Sequence, residues 1–146
     1  MKKLVAALAL AGAAVLVVAA LATAGRTKEI MVGASLNAKD EVPAQVVKNT
    51  TAKGSFTGTL VGSKLTWKLT FSGLTGPATA AHIHMGAMGK AGNVVVPLCG
   101  PCKSPVHGAA TLTAQVKKLL ATHMAYVNVH TAKNPNGEIR GQVSEH

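Results

Sequence analysis

The chain has 146 residues, 48% of them apolar, with 15 glycines and a formal net charge of +10. That length suits a single domain. The basic residues are scattered and only Phe56, Trp67, Phe71 and Tyr126 could stack on bases, which argues against nucleic-acid binding and favours anionic envelope polymers, lipid headgroups, a small anion, another protein or no partner at all.

Met1-Lys2-Lys3 is a basic start, residues 4–21 are an uncharged Ala/Leu/Val run with a single glycine, Gly12, and Ala22-Thr23-Ala24 has the small-residue pattern of a signal-peptidase site. The reading is a signal peptide over residues 1–24 and a mature β domain over residues 25–146. That makes the product secreted or periplasmic, with no membrane span after cleavage. A retained anchor is the alternative, because the run approaches the roughly 18 residues that span a bilayer.

Residues 29–38 read as a strand that Asp40-Glu41-Val42-Pro43 ends, since proline cannot donate to a ladder. Residues 54–61 and 64–71 flank Gly62-Ser63 and predict a hairpin. In its second arm Leu65, Trp67, Leu69 and Phe71 alternate with Thr66, Lys68 and Thr70, so the first set faces inward. Residues 73–78 are a loop and the strand of His82 follows. A glycine-rich turn covers 86–92 and another strand 93–98. Residues 99–108 read as a loop, 109–114 as a strand, and 115–123 as the one helical turn, with Val116, Leu119 and Leu120 at helical spacing. The strand of His130 leads through Asn136-Gly137, a strong turn signal, into a strand over 138–143. About eight short strands with frequent turns predict an all-β fold, an antiparallel Greek-key sandwich or barrel.

Cys99-Gly100-Pro101-Cys102 has the spacing of a thioredoxin-type redox motif. That chemistry needs a helix to begin at the motif and lower a thiol pKa, whereas Lys103-Ser104-Pro105 follows here. In an exported chain a local disulfide between Cys99 and Cys102 is the simpler reading.

The chemistry centres on Ala81-His82-Ile83-His84-Met85. Residues i and i+2 of a strand share a face, so His82 and His84 point one way while Ala81, Ile83 and Met85 point the other. Tyr126-Val127-Asn128-Val129-His130 repeats the design. If the two strands are neighbours, His82, His84 and His130 converge. Three imidazoles suit copper or zinc and leave a coordination position open. Asn128, Glu138 and Arg140 are candidates for the surrounding shell, with Glu138 placed to take the second N–H of His130. The alternative is a hydrogen-bonded polar layer without metal, built with Asn128, Tyr126, Glu41 and Arg140. His107, His123 and His146 read as loop, helix-end and terminal residues. No catalytic triad, carboxylate pair or phosphate loop is present in the pattern.

Glu41-Val42-Pro43, Ala81-His82-Ile83-His84, Gly92-Asn93-Val94-Val95, Tyr126-Val127-Asn128-Val129-His130-Thr131 and Asn134-Pro135-Asn136-Gly137-Glu138-Ile139-Arg140-Gly141-Gln142 together resemble the CHRD domain, over about residues 29–143. The resemblance implies a short exported protein. More loosely, the chain is similar to copper–zinc superoxide dismutase, a Greek-key barrel. Its copper site uses a His-x-His strand, matched by His82 and His84, and a later histidine, matched by His130. That likeness implies dismutase-type redox chemistry. His107 is the counterpart of the bridging histidine, and the zinc loop has no match. Three functions follow as expectations: a metal-binding module, a structural or adhesive envelope module, and a dismutase-like enzyme.

Overall fold

A computed structural model describes residues 27–146, so the segment expected to be a signal peptide lies outside the described residues. The elements in order are β1 (Glu29–Asn37), a 3-10 turn (Ala38–Asp40), β2 (Lys53–Val61), β3 (Lys64–Ser72), β4 (Ala78–Met85), β5 (Val94–Cys99), β6 (Val106–Thr111), α1 (Ala114–Ala121), β7 (Ala125–Thr131), β8 (Ile139–Gln142) and β9 (Ser144–Glu145). Among the described residues no helix is long and apolar enough to cross a membrane.

Eight strands run side by side in the order β5-β4-β7-β8-β1-β2-β3-β6, with β9 pairing to β1, and the sheet is nearly closed into a barrel. All pairings are antiparallel. The β2–β3 hairpin turns at Gly62-Ser63 with Val61 opposite Lys64, and Gly62 takes the left-handed φ of 62° that such a turn demands. Leu65 and Leu69 are fully buried and Trp67 nearly so, as the alternation requires; Phe71, at the strand end, is only half-buried. Each such aliphatic side chain contributes about 1.5–3 kcal/mol through its removal from water. Thr113 caps α1 by accepting from Val116 N, and Val116 and Leu120 turn inward against the barrel.

Two boundaries differ from expectation. The strand expected over 109–114 is β6 at Val106–Thr111, and Ala114 already belongs to α1. Val-His-Gly carries no apolar alternation to announce a strand. Pairing with β3, from Leu69 opposite Val106 to Lys64 opposite Thr111, creates it. His107 therefore sits on a strand rather than in a loop. The last strand breaks at Val143 into β8 and β9. Cys99 and Cys102 form a disulfide with Cα atoms 5.4 Å apart.

Strand β7 is the centre of the molecule. It pairs with β4 on one side and β8 on the other, and it is covered on both faces. Val127 and Val129 fill the barrel interior. Tyr126, Asn128 and His130 point outward under the connecting segments.

Candidate metal centre

Strands β4 and β7 are hydrogen-bonded neighbours, with His82 opposite Asn128, His84 opposite Tyr126 and Ala80 opposite His130. Ala81 and Ile83 are fully buried inside the barrel, so the pleat turns His82 and His84 to its outside. His130 lies diagonally across from His82 on that same face. The three rings offer one nitrogen each, and these atoms all lie within 4.8 Å of one another. The closest pair is His82 Nδ1 and His130 Nε2 at 3.1 Å. Ring centroids are 5.0 Å apart for His82–His130, 5.4 Å for His82–His84 and 5.8 Å for His84–His130.

The hydrogen bonds fix the protons. Nδ1 of His130 lies 2.9 Å from the carbonyl oxygen of Pro135, and Nδ1 of His84 lies 2.9 Å from that of Gly92. A carbonyl only accepts, so both Nδ1 atoms carry hydrogen, and in a neutral ring both Nε2 atoms are bare lone pairs. Burial pushes the His130 ring down to about 4, with the Pro135 bond opposing and the other two histidines adding to the fall. His82 and His84 are likewise held below the ordinary imidazole value, first by burial. Nε2 of His84 is buried without any partner. His82 Nδ1 either donates its hydrogen to His130 Nε2 or, in its other tautomer, adds a third lone pair. Neutral rings, converging unprotonated nitrogens and an orphaned acceptor are what a metal that takes imidazole requires, so these residues fit copper or zinc.

The surrounding shell differs from the expected one. The acceptors that orient His130 and His84 are the main-chain carbonyls of Pro135 and Gly92, not side chains. Glu138 is fully buried and turned away from His130. Its carboxylate accepts from Thr75 N, Thr75 Oγ1, Thr131 Oγ1 and Asn49 Nδ2 at 2.6–2.7 Å. Burial alone would raise its pKa, but these bonds together hold it below the usual value. Asn128 gives its Nδ2 to both oxygens of Glu41, at 2.9 and 3.0 Å. Arg140 lies behind Tyr126, with Cζ 3.5 Å over the ring centroid, while His84 stacks on the same ring at 4.9 Å and 10°. The polar layer read from the sequence exists as these two pairings, Asn128 with Glu41 and Tyr126 with Arg140. Glu41 follows the 3-10 turn inward and is 5% exposed. Burial pushes its pKa up to about 8, against the lowering influence of Arg140 and Asn128.

His107 pairs across from Lys68 on β6 and His123 is exposed after α1; neither belongs to the cluster. The roles of Pro135 and Gly92 had no signature beyond the turns that contain them.

The model of the CHRD domain family matches residues 32–143. No curated protein and no solved structure matches the chain, so the looser likeness to superoxide dismutase gains no support.

Proposed function

Starting from the fact that the chain belongs to the CHRD domain family, we propose that it is an exported metal-binding module whose His82, His84 and His130 hold one copper or zinc ion. The observation that carries this is the orphaned, buried Nε2 of His84 beside the His130 Nε2 lone pair, with each ring's other nitrogen tied to a carbonyl. A buried acceptor without a donor costs about 1–3 kcal/mol, and a cation at the convergence point removes that cost. Held by His82, His84 and His130, such an ion would supply Lewis acidity and, for copper, one-electron chemistry. The apolar run ending in Ala22-Thr23-Ala24 and the Cys99–Cys102 disulfide support an extracytoplasmic setting. The test is elemental analysis of protein purified from its native compartment, with intact mass recorded on the same sample. About one equivalent of copper or zinc on a chain beginning at Gly25 supports the proposal; metal-free protein that also fails to bind either ion on titration refutes the metal.

A structural module without metal is the second reading. The 3.1 Å contact between His82 and His130 favours it, because one tautomer of His82 satisfies both rings by themselves. Dismutase chemistry is the weakest of the three. His107 stands apart from the cluster and, among the described residues, the three histidines are the sole metal-capable group.

A further inference from the structure

Among the described residues, four of the five buried side-chain polar atoms that lack a partner lie on the outer face of β4, β7 and β8: His84 Nε2, Asn128 Oδ1, Arg140 Nη1 and Gln142 Oε1. The histidine belongs to the centre already described. Arg140 does not, because it sits across the Tyr126 ring, rooted on the strand at the other side of β7 from His84. Arg140 as a whole is 1% exposed. Nη2 donates to the carbonyl of Ala87 at 3.0 Å and Nη1 donates to nothing. The two carboxylates whose charge reaches it are engaged elsewhere. Both oxygens of Glu41 face Asn128 Nδ2, and Asp40 accepts from Asn37 Nδ2 at 2.6 Å. A buried cation with one terminal amino group unbonded and no bonded counter-ion is costly, and an anion offsets that cost.

Space for one is adjacent. A cavity of about 170 Å³ is lined by Arg140, Lys39, Asp40, Val42, Met88, Gly89 and Gln142. At roughly 30 Å³ per water-sized group, it holds an anion of about five heavy atoms. Lys39 and Arg140 outweigh the charge of Asp40 there, and the whole chain is strongly basic. We infer that this cavity is a small-oxyanion site in which Arg140, assisted by Lys39, binds a carboxylate or phosphate-type group. A planar guanidinium suits paired oxygens of either kind. The inference is independent of the metal reading, since the Tyr126 ring separates the cavity from the histidines and the protein can be tested metal-free.

The chain has only two arginines, Arg26 and Arg140, so the two side-chain Nε–Hε signals in an NMR spectrum report the site directly. Metal-free wild type is titrated with inorganic phosphate and, separately, with acetate at constant ionic strength. The expected result is a saturable shift of the Arg140 signal with Arg26 unmoved. The anion of higher affinity then identifies the source as phosphate or carboxylate. Lys39 is exposed, so Lys39→Gln folds normally and is expected to weaken binding roughly fivefold. An Arg140 signal that neither anion moves, or that drifts linearly without saturating, overturns the site and leaves Glu41 as the charge partner. An unchanged affinity in Lys39→Gln also overturns it, by removing the anion from this cavity.

Discussion

Replacing His130 by alanine tests the centre most sharply. A structural zinc site binds with about 10–16 kcal/mol, which over four ligand positions is about 2.5–4 kcal/mol each. At about 1.4 kcal/mol per decade, losing one imidazole should weaken Zn²⁺ or Cu²⁺ binding by about 10²–10³-fold. The same substitution takes two hydrogen bonds from the metal-free protein, leaving the Pro135 carbonyl and His82 Nδ1 unpaired. That predicts an additional stability loss of about 1–3 kcal/mol. The two effects separate in one experiment, with calorimetric titration at pH 7.5 for affinity and urea unfolding of the apo forms for stability. His123→Asn is the control, since His123 is exposed and holds φ at 55°, a conformation asparagine tolerates. The metal reading fails if wild type shows no saturable binding near one equivalent, or if His130→Ala binds within threefold of wild type. A loss of stability without either binding result leaves only the hydrogen-bonded layer.

The remaining expectations are briefer. All three rings have pKa values lowered in the fold, so protons compete with metal only at lower pH than for free imidazole; affinity should survive below pH 6.5 and fall toward the His130 value of about 4, and half-loss near 6.5 in stepped dialysis contradicts this. By the same sign, the stability tied to these neutral rings is fully present above about pH 6.5 and is lost as pH falls toward 4, which melting of the apo protein reads. Glu138→Gln removes the buried charge and sets an amide N–H₂ against the Thr75 and Thr131 hydroxyls, which must turn from donating to accepting, so a loss of about 1–3 kcal/mol is expected, with hydrogen exchange rising at Asn49 and Thr75; unchanged unfolding would falsify the carboxylate's role. Gly137→Ala drives a methyl onto Asn128 Nδ2 and the Glu41 carboxyl at a φ of 135°, and a loss of about 2–4 kcal/mol is expected in urea unfolding; a neutral result contradicts that packing. Cys99→Ser with Cys102→Ser opens a loop so short that only about 2 kcal/mol is at stake, so the double variant should remain folded by circular dichroism, and a collapsed spectrum would show the bridge to be essential.

The face that carries the histidines was legible because period-2 alternation is local. Ile83 between His82 and His84, and Val129 between Asn128 and His130, assign sides without any knowledge of partners. That β4 and β7 pair was a conjecture, since strand neighbours this far apart in sequence are chosen by the barrel. The supporting contacts were less visible still. Glu138 stands just across the Asn136-Gly137 turn from His130 and looks like its natural acceptor, yet four donors from Asn49, Thr75 and Thr131 hold it elsewhere. Two of those residues come from loops with no sequence signature for the contact. Glu41 was grouped with Asn128 from the sequence, but the single 3-10 turn that carries it there has no signature of its own. β6 was blurred because Val106-His107-Gly108 becomes a strand only through its pairing with β3.

Both acceptors that orient the ring nitrogens are peptide carbonyls, and this alters how the centre can drift over generations. Every residue type at position 135 carries the same oxygen, so exchanging its side chain leaves the tautomer of His130 untouched as long as the turn keeps its path. Position 92 is less free, because any Cβ there would strike the Met85 carbonyl. The genetic weak point is therefore loop length more than loop spelling. A one-residue insertion or deletion in 86–92 or 132–136 displaces an acceptor that no point substitution at 135 can remove, and related chains should vary in letters there long before they vary in spacing.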